Sequence, residues 1–344
     1  PCDKLILALG SRPLSIPSFP FDGVRIISSN EALNLQKLPA SLLIVGGGVI
    51  GCEFAFIFSS LGSKVTLVEG LSRILPLPSV DRDCSKILQR EMKKRHINFM
   101  VDRTVESFEK AKDKLRINVG PSPFLPESQK GDVKTSTVEV EQVLVCIGRR
   151  PNTANVGLEN IGVRTDDHGW IIVDERMETN KPGVYAIGDV LGPLKVMLAH
   201  VASTEGLVAA ENAVGGNRTM DYSVVPGAIF TMPEVANVGL TETQAKEQGY
   251  NVRSDSVLFR TLGKAHVIGE IAGQAKIVSD AGNGKIFGVH IVGPRATDLI
   301  AEAALAIQMG GSVQDLAATI HAHPTLAEIM LETSFKAMGR ALHG

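Results

Sequence analysis

The hexapeptide Gly46-Gly47-Gly48-Val49-Ile50-Gly51 sits between an apolar run, Ser41–Val45, and an apolar stretch that reads as a helix over Val49–Leu61. A second apolar run, Lys64–Glu69, follows and ends in an acid. Strand, glycine turn, helix and strand within about 30 residues form a βαβ unit, which commits this part of the chain to a parallel sheet. The glycines have separate duties. Gly46 permits the tight turn, Gly48 lets backbone approach a pyrophosphate at the positive end of the helix, and Gly51 lets helix and strand pack closely. Gly47, Val49 and Ile50 complete the cradle. Glu69 is placed to accept hydrogen bonds from ribose hydroxyls, and its charge opposes a 2′-phosphate, so NAD is expected over NADP.

Composition narrows the remaining classes. A chain of 344 residues exceeds one ordinary domain, and two to three are expected. The net charge of -2 gives no electrostatic reason to bind nucleic acid or an anionic membrane. No apolar run is long enough to span a bilayer. Cys2, Cys52, Cys84 and Cys146 form neither a CxxC nor a CxxxxC pair, nor a zinc-like spacing. Small buried apolar residues in a reducing, cytoplasmic compartment are the expectation. The chain opens on a core-like strand, Lys4–Gly10, without a lead-in, and so reads as cut from a longer protein. Its start therefore says nothing about targeting.

The pattern of elements reads as an α/β domain around the glycine turn, then a piece of another α/β domain, then an α+β domain. The character of the chain changes at residue 149 and again at Tyr222. Short strands are expected at Trp170–Val173 and Gly183–Ile187, and a helix at His200–Val214. Later strands alternate with turns such as Gly282-Asn283-Gly284, and helices are expected at Ala296–Met309 and Thr325–Met338.

Several segments, in order along the whole chain, resemble the pyridine nucleotide-disulfide oxidoreductases. Ala8-Leu9-Gly10-Ser11-Arg12-Pro13 is similar to the family's A-T-G-S-R-P turn, with Leu9 in place of Thr. Cys146–Asn152, containing Gly148, resembles a second such turn. Thr179 and Tyr185–Asp189 resemble the second flavin motif, Met197-Leu198-Ala199-His200 the segment along the flavin ring, and Phe230–Glu242 the opening of an interface domain. His321–Glu328 resembles the C-terminal signature H-A-H-P-T-x-x-E. The resemblance implies FAD and NAD as cofactors, a homodimer, and an α/β fold in which a Rossmann-like NAD domain, residues 39–148, is inserted in a partial FAD domain, residues 1–38 and 149–221, followed by a C-terminal α+β dimerisation domain, residues 222–344. It implies that Leu9, Gly10, Ser11, Gly148 and Asp189 face the flavin cofactor, with Asp189 on a ribitol hydroxyl. The backbone of Met197, Leu198, Ala199 and His200 would lie along its ring. Glu53 would pair with a lysine beside the flavin, or merely match the helix dipole. Val105 would touch adenine or fill the core.

By the same resemblance His323 is the acid–base that takes a proton from a dithiol substrate, and Glu328 orients it and stabilises its charge. His321 is the competitor. Thr325–Glu328 also reads as a capping box, with Pro324 in the first helical turn. A first GxGxxG and a CxxxxC pair, both needed by the family, are absent from this sequence. Glu69 and the paired histidines favour the branch that oxidises protein-bound dihydrolipoamide. Its partners would be lipoyl domains of 2-oxoacid dehydrogenase or glycine cleavage complexes. A glutathione or mercuric reductase, a soluble transhydrogenase and a non-catalytic NAD-binding or dimerisation module remain alternatives.

Overall fold

The computed structural model describes residues 2–16 and 19–343, which form two compact units. One unit contains the chain up to Ser15 together with Ile147–Ser223; the other contains Ile16–Cys146 with Val224–Gly344. The first unit is therefore interrupted by residues 16–146 of the second, and the second also holds residues 224–344, which the sequence assigned to a separate domain.

In the first unit Leu5–Leu7 pairs in parallel with Val184–Ala186, and Ser11–Pro13 pairs antiparallel with Arg149–Pro151. Helix Ala199–Ala213 covers them through Val208 and Ala209, which share a core with Tyr185, Ala186, Val190 and Met177. The strand expected at Trp170–Val173 is replaced by isolated bridges, Thr165 to Ile171 and Val173 to Thr179. Asp166 explains this. Its Oδ1 accepts the N–H groups of His168 and Trp170, both at 2.9 Å, and turns the chain before a ladder can extend.

The second unit holds a five-stranded parallel sheet in the order Ile26–Ile27, Gln142–Val145, Ser41–Val45, Lys64–Val68, Asn98–Met100. Ile26–Ile27 was expected with residues 1–38 in the flavin part, but it hydrogen-bonds to Val143–Leu144 in this sheet. Both isoleucines are fully buried, and the apolar edge of Gln142–Val145 is what they can cover. Helices Val49–Ser60 and Arg82–Lys94 carry Phe54, Phe56, Phe58, Leu88 and Met92 into the core on one face. On the other face the layer is a three-stranded antiparallel meander, Arg103–Ala111, Lys114–Pro121 and Ser136–Val140, whose Leu115, Ile117 and Val119 pack on Leu43, Val68 and Val143.

A five-stranded antiparallel sheet follows, in the order Gly227–Ile229, Glu234–Gly239, Ile286–Gly293, Gln274–Asp280, Val252–Leu258. Helices Ala296–Gln308, Val313–Ala318 and Glu328–Ala337 build a core on it with Val238, Ile277, Val289 and Ile291. The strand Glu234–Gly239 was visible in the sequence only as part of a motif. Val235, Ala236, Asn237 and Val238 are all buried, as suits a strand with partners on both sides.

Lys276, in the middle of this sheet, is 7% exposed and meets three carboxylates: Glu242 at 2.9 Å, Asp83 at 3.1 Å and Asp81 at 3.2 Å. Hydrogen bonds from Lys246 and then Lys276 pull the Glu242 carboxyl down to about 2, against a smaller opposing effect of burial. A carboxylate whose folded pKa lies below its unfolded one stabilises fully above the unfolded value and loses that contribution as pH falls towards the folded one. We therefore expect the wild type to lose about 1–2 kcal/mol more than Glu242→Gln between about pH 5 and 2, after allowing for solvent screening. Urea midpoints measured across that range would check this; parallel curves for the two proteins would refute it.

Candidate functional site

The glycine turn closes the C-terminal end of strand Ser41–Val45. Gly46 has φ 107° and donates to the Val68 carbonyl at 2.8 Å, so a left-handed residue is required there. A Cβ on Gly51 would lie 1.9 Å from the Gly46 carbonyl oxygen, so the helix can approach the strand only without a side chain. Gly48 is the N-cap of Val49–Ser60. A Cβ on it would meet nothing within 4 Å, and no side chain caps this helix. An open space beside a helix start without a capping side chain fits a pyrophosphate. Val49 and Ile50 begin the helix and pack partly against the core.

Glu69 does more than the spacing suggested. Its carboxylate is 8% exposed, and Oε2 accepts the Gly47 N–H at 2.6 Å while Oε1 accepts the Leu71 N–H at 2.7 Å. It shapes the turn, and each oxygen retains a lone pair for a ribose hydroxyl. Glu53 is no mere dipole match: it accepts the Phe230 N–H at 2.9 Å. Burial raises its pKa, and the Phe230 N–H only partly opposes this. Val105 lies in strand Arg103–Ala111, half-buried against the core between sheet and meander.

The flavin-type residues assemble within the other unit. Asp189 sits in the 3-10 turn Gly188–Leu191, just past strand Val184–Ala186. Its Oδ2 accepts the Ser11 hydroxyl at 2.7 Å and lies 3.6 Å from Arg149 Nε. Arg149 in turn donates to Ser11 Oγ at 2.6 Å. Asp189 Oδ1 is left to accept from a polyol hydroxyl, which fits the expected ribitol contact. The Leu9 and Gly10 carbonyls accept from the Asn152 side chain at 3.0 Å and its backbone N–H at 3.1 Å. The Gly148 carbonyl accepts the Leu14 N–H at 3.0 Å. Leu198 caps helix Ala199–Ala213 with no side-chain bond; Met197 precedes it and His200 lies in the first turn. The sequence reading missed Glu205, which is buried and takes the Gly188 N–H and the Tyr222 hydroxyl, both at 2.6 Å. Burial first, and then Glu205, raise the Tyr222 phenol above its ordinary value. The signal was an acid on the same helix face as Val201 and Val208.

His323 and Glu328 meet as expected by resemblance, with Nδ1 2.8 Å from Oε1. The imidazole is 77% exposed, so Nε2 is left facing outwards. Burial would raise the Glu328 pKa, but the His323 bond and the Thr325 N–H at 2.9 Å outweigh it, and the carboxylate stays ionised below its ordinary range. His321 is pinned instead: its side chain is 4% exposed, with Nδ1 2.9 Å from the Thr319 carbonyl and Nε2 2.9 Å from Glu302. The capping box forms only in half. Thr325 Oγ1 donates to the Ala322 carbonyl, and the helix begins at Glu328 rather than at Pro324, which follows a cis peptide bond. Glu328 keeps the backbone half of that box with Oε2 on the Thr325 N–H and supports His323 with Oε1. One turn on, Glu332 holds His343 Nδ1 at 2.7 Å, an arrangement the sequence did not reveal.

The free thiols Cys52 and Cys84 are buried and pushed far above their ordinary pKa, and burial raises Cys146 to about 12. None is poised for exchange. No helix among the described residues is long and apolar enough to cross a membrane.

Residues 1–206 match the family described as pyridine nucleotide-disulphide oxidoreductase, and residues 225–334 match its dimerisation domain. The chain belongs to that family, whose oxidoreductases use FAD and NAD. Curated relatives point further. The dihydrolipoyl dehydrogenases of Chlamydia muridarum and Bacillus subtilis are 43% and 41% identical over 99% of this chain, covering 70% and 69% of their own lengths. Among solved structures, LpdA from Mycobacterium tuberculosis superposes with a TM-score of 0.86 at 29% identity, over 97% of this chain and 69% of that one. The flavoprotein disulfide reductase RclA from Escherichia coli gives 0.85 at 25% identity, over 96% and 73%.

Proposed function

We propose that this chain carries the NAD site and the acid–base pair of a dihydrolipoyl dehydrogenase, which oxidises protein-bound dihydrolipoamide to lipoamide. The observation that carries the reading is the His323–Glu328 pair, an exposed imidazole held at 2.8 Å by a carboxylate kept ionised. When bound, FAD and NAD supply the two-electron redox chemistry. The chain's own residues bind and orient. Gly46–Gly51 receives the pyrophosphate, Glu69 the adenine ribose, and Ser11, Asp189 and the start of helix Ala199–Ala213 the flavin cofactor. His323 Nε2 takes the proton of a substrate thiol, and Glu328 stabilises the charge that results. The exchanging disulfide is not among this chain's four cysteines.

In this reading 39–148 is the NAD domain, 149–221 belongs to the flavin domain and 222–344 is the interface domain of a homodimer. The partners are lipoyl domains of 2-oxoacid dehydrogenase or glycine cleavage complexes, in a reducing cytoplasm suited to four free thiols. A titration followed by nucleotide fluorescence tests the first step. NADH is expected to bind at least about tenfold more tightly than NADPH, because a 2′-phosphate would approach Glu69. Equal affinities, or none for NADH, would refute the assignment.

A further inference from the structure

We propose that Lys276, on the antiparallel sheet, is a positioning residue for the nucleotide site, acting through Asp81 on the segment that braces the glycine turn. The proposal rests on the NAD reading above. Lys276 touches neither glycine nor Glu69. Its link to them runs through segment 70–81, which is fastened at both ends.

At the site end, the Leu71 N–H binds Glu69 Oε1 at 2.7 Å and the Leu75 N–H binds the Gly47 carbonyl at 2.8 Å. Leu75 adopts φ 50°, a strained conformation for leucine, and Ile74 and Leu75 are fully buried. A Cβ on Gly47 would lie 3.1 Å from Ile74 Cδ1, so any drift of this segment presses on the turn. At the far end Arg73 folds the segment onto the next helix, donating to the Leu77 and Val80 carbonyls at 2.8 and 3.0 Å and to Ser85 Oγ at 2.6 Å. Asp81 then caps helix Arg82–Lys94 by accepting the Asp83 N–H at 2.9 Å.

Among the carboxylates around Lys276, Asp81 alone depends on it. Asp83 also meets Lys86 at 3.1 Å, and Glu242 also meets Lys246 at 2.6 Å. Asp81 is 5% exposed, and Lys276 is its only ion-pair partner among the described residues. Without Lys276 the buried Asp81 carboxylate would keep only the more distant charge of Arg73 and would lose its anchor on the sheet. The end of segment 70–81 would lose its tie to the sheet whether residue 81 is charged or not. The interface sheet thus sets the rest position of a segment that touches the nucleotide turn.

The test compares NADH affinity, read by fluorescence titration of the purified chain, with thermal unfolding. Lys276→Met is expected to weaken NADH about tenfold, and Lys276→Arg to return to within about threefold of wild type. Lys276→Met carries a buried unpaired acid and so loses stability as well. The double variant Asp81→Asn/Lys276→Met removes that charge while keeping a good N-cap. It is expected to recover thermal stability but not NADH affinity, a split that a purely structural role would not produce. Wild-type NADH affinity in the folded double variant would overturn the proposal. A wild type that binds no NADH would overturn the nucleotide reading, and this proposal with it.

Discussion

Gly51→Ala is expected to unfold the nucleotide turn, while Gly48→Ala, three residues earlier, is expected to leave the fold intact and still abolish tight binding. The contrast follows from where each methyl would go. At Gly51 it would lie 1.9 Å from the Gly46 carbonyl oxygen, a backbone atom that cannot step aside without moving strand or helix. We expect a loss of about 3 kcal/mol or more, the upper end for overpacking. At Gly48 the methyl would meet nothing within 4 Å, and the backbone there, with φ -73°, suits alanine. Stability should stay within about 0.5 kcal/mol of wild type. The methyl would instead fill the space assigned to the pyrophosphate and weaken NADH by about two orders of magnitude. Urea denaturation with NADH titration on both variants decides the matter. A Gly48→Ala protein that binds NADH normally would remove the turn from the nucleotide site.

His323→Gln, in the assembled enzyme, is expected to lower dithiol oxidation by about 10²–10⁴-fold. Glutamine retains a similar reach and polarity but cannot accept and release a proton. NADH affinity should not change, since His323 and Glu328 hydrogen-bond to each other and to Thr325, not to the glycine turn. Glu328→Gln is expected to give a smaller loss, about tenfold, because the amide still orients the ring but no longer offsets a positive charge. Initial rates with a lipoamide-class dithiol over a range of pH would measure both. Unchanged turnover in His323→Gln would exclude this histidine as the base. Unchanged turnover together with a collapse in His321→Gln would transfer the role to the residue pinned by Glu302.

What could be read in advance was local. Gly46, Gly48 and Gly51 owe their roles to spacings of two and three residues, and the strand Ser41–Val45 falls where its apolar run predicts. His323 and Glu328 are five residues apart, and their union needed only one turn of chain. What escaped the sequence depends on residues brought together from afar. Lys276 and Asp81 are 195 positions apart, and nothing in either segment announces the other. Ile26–Ile27 joined a sheet whose neighbouring strand begins at Gln142. The second duty of Glu69 was hidden for a different reason. The same acid can face a sugar or its own backbone, and only the path of Leu71 and Gly47 shows that it already does the latter.

The carboxylate of Glu69 carries a kinetic consequence. Because it already ties Gly47 to Leu71, the loop is held in one shape before any cofactor arrives, and less ordering is left for the docking step. Capture should then be governed by encounter and release by the lifetime of the contacts, so that variants of this acid slow the arrival of the dinucleotide as well as hastening its escape.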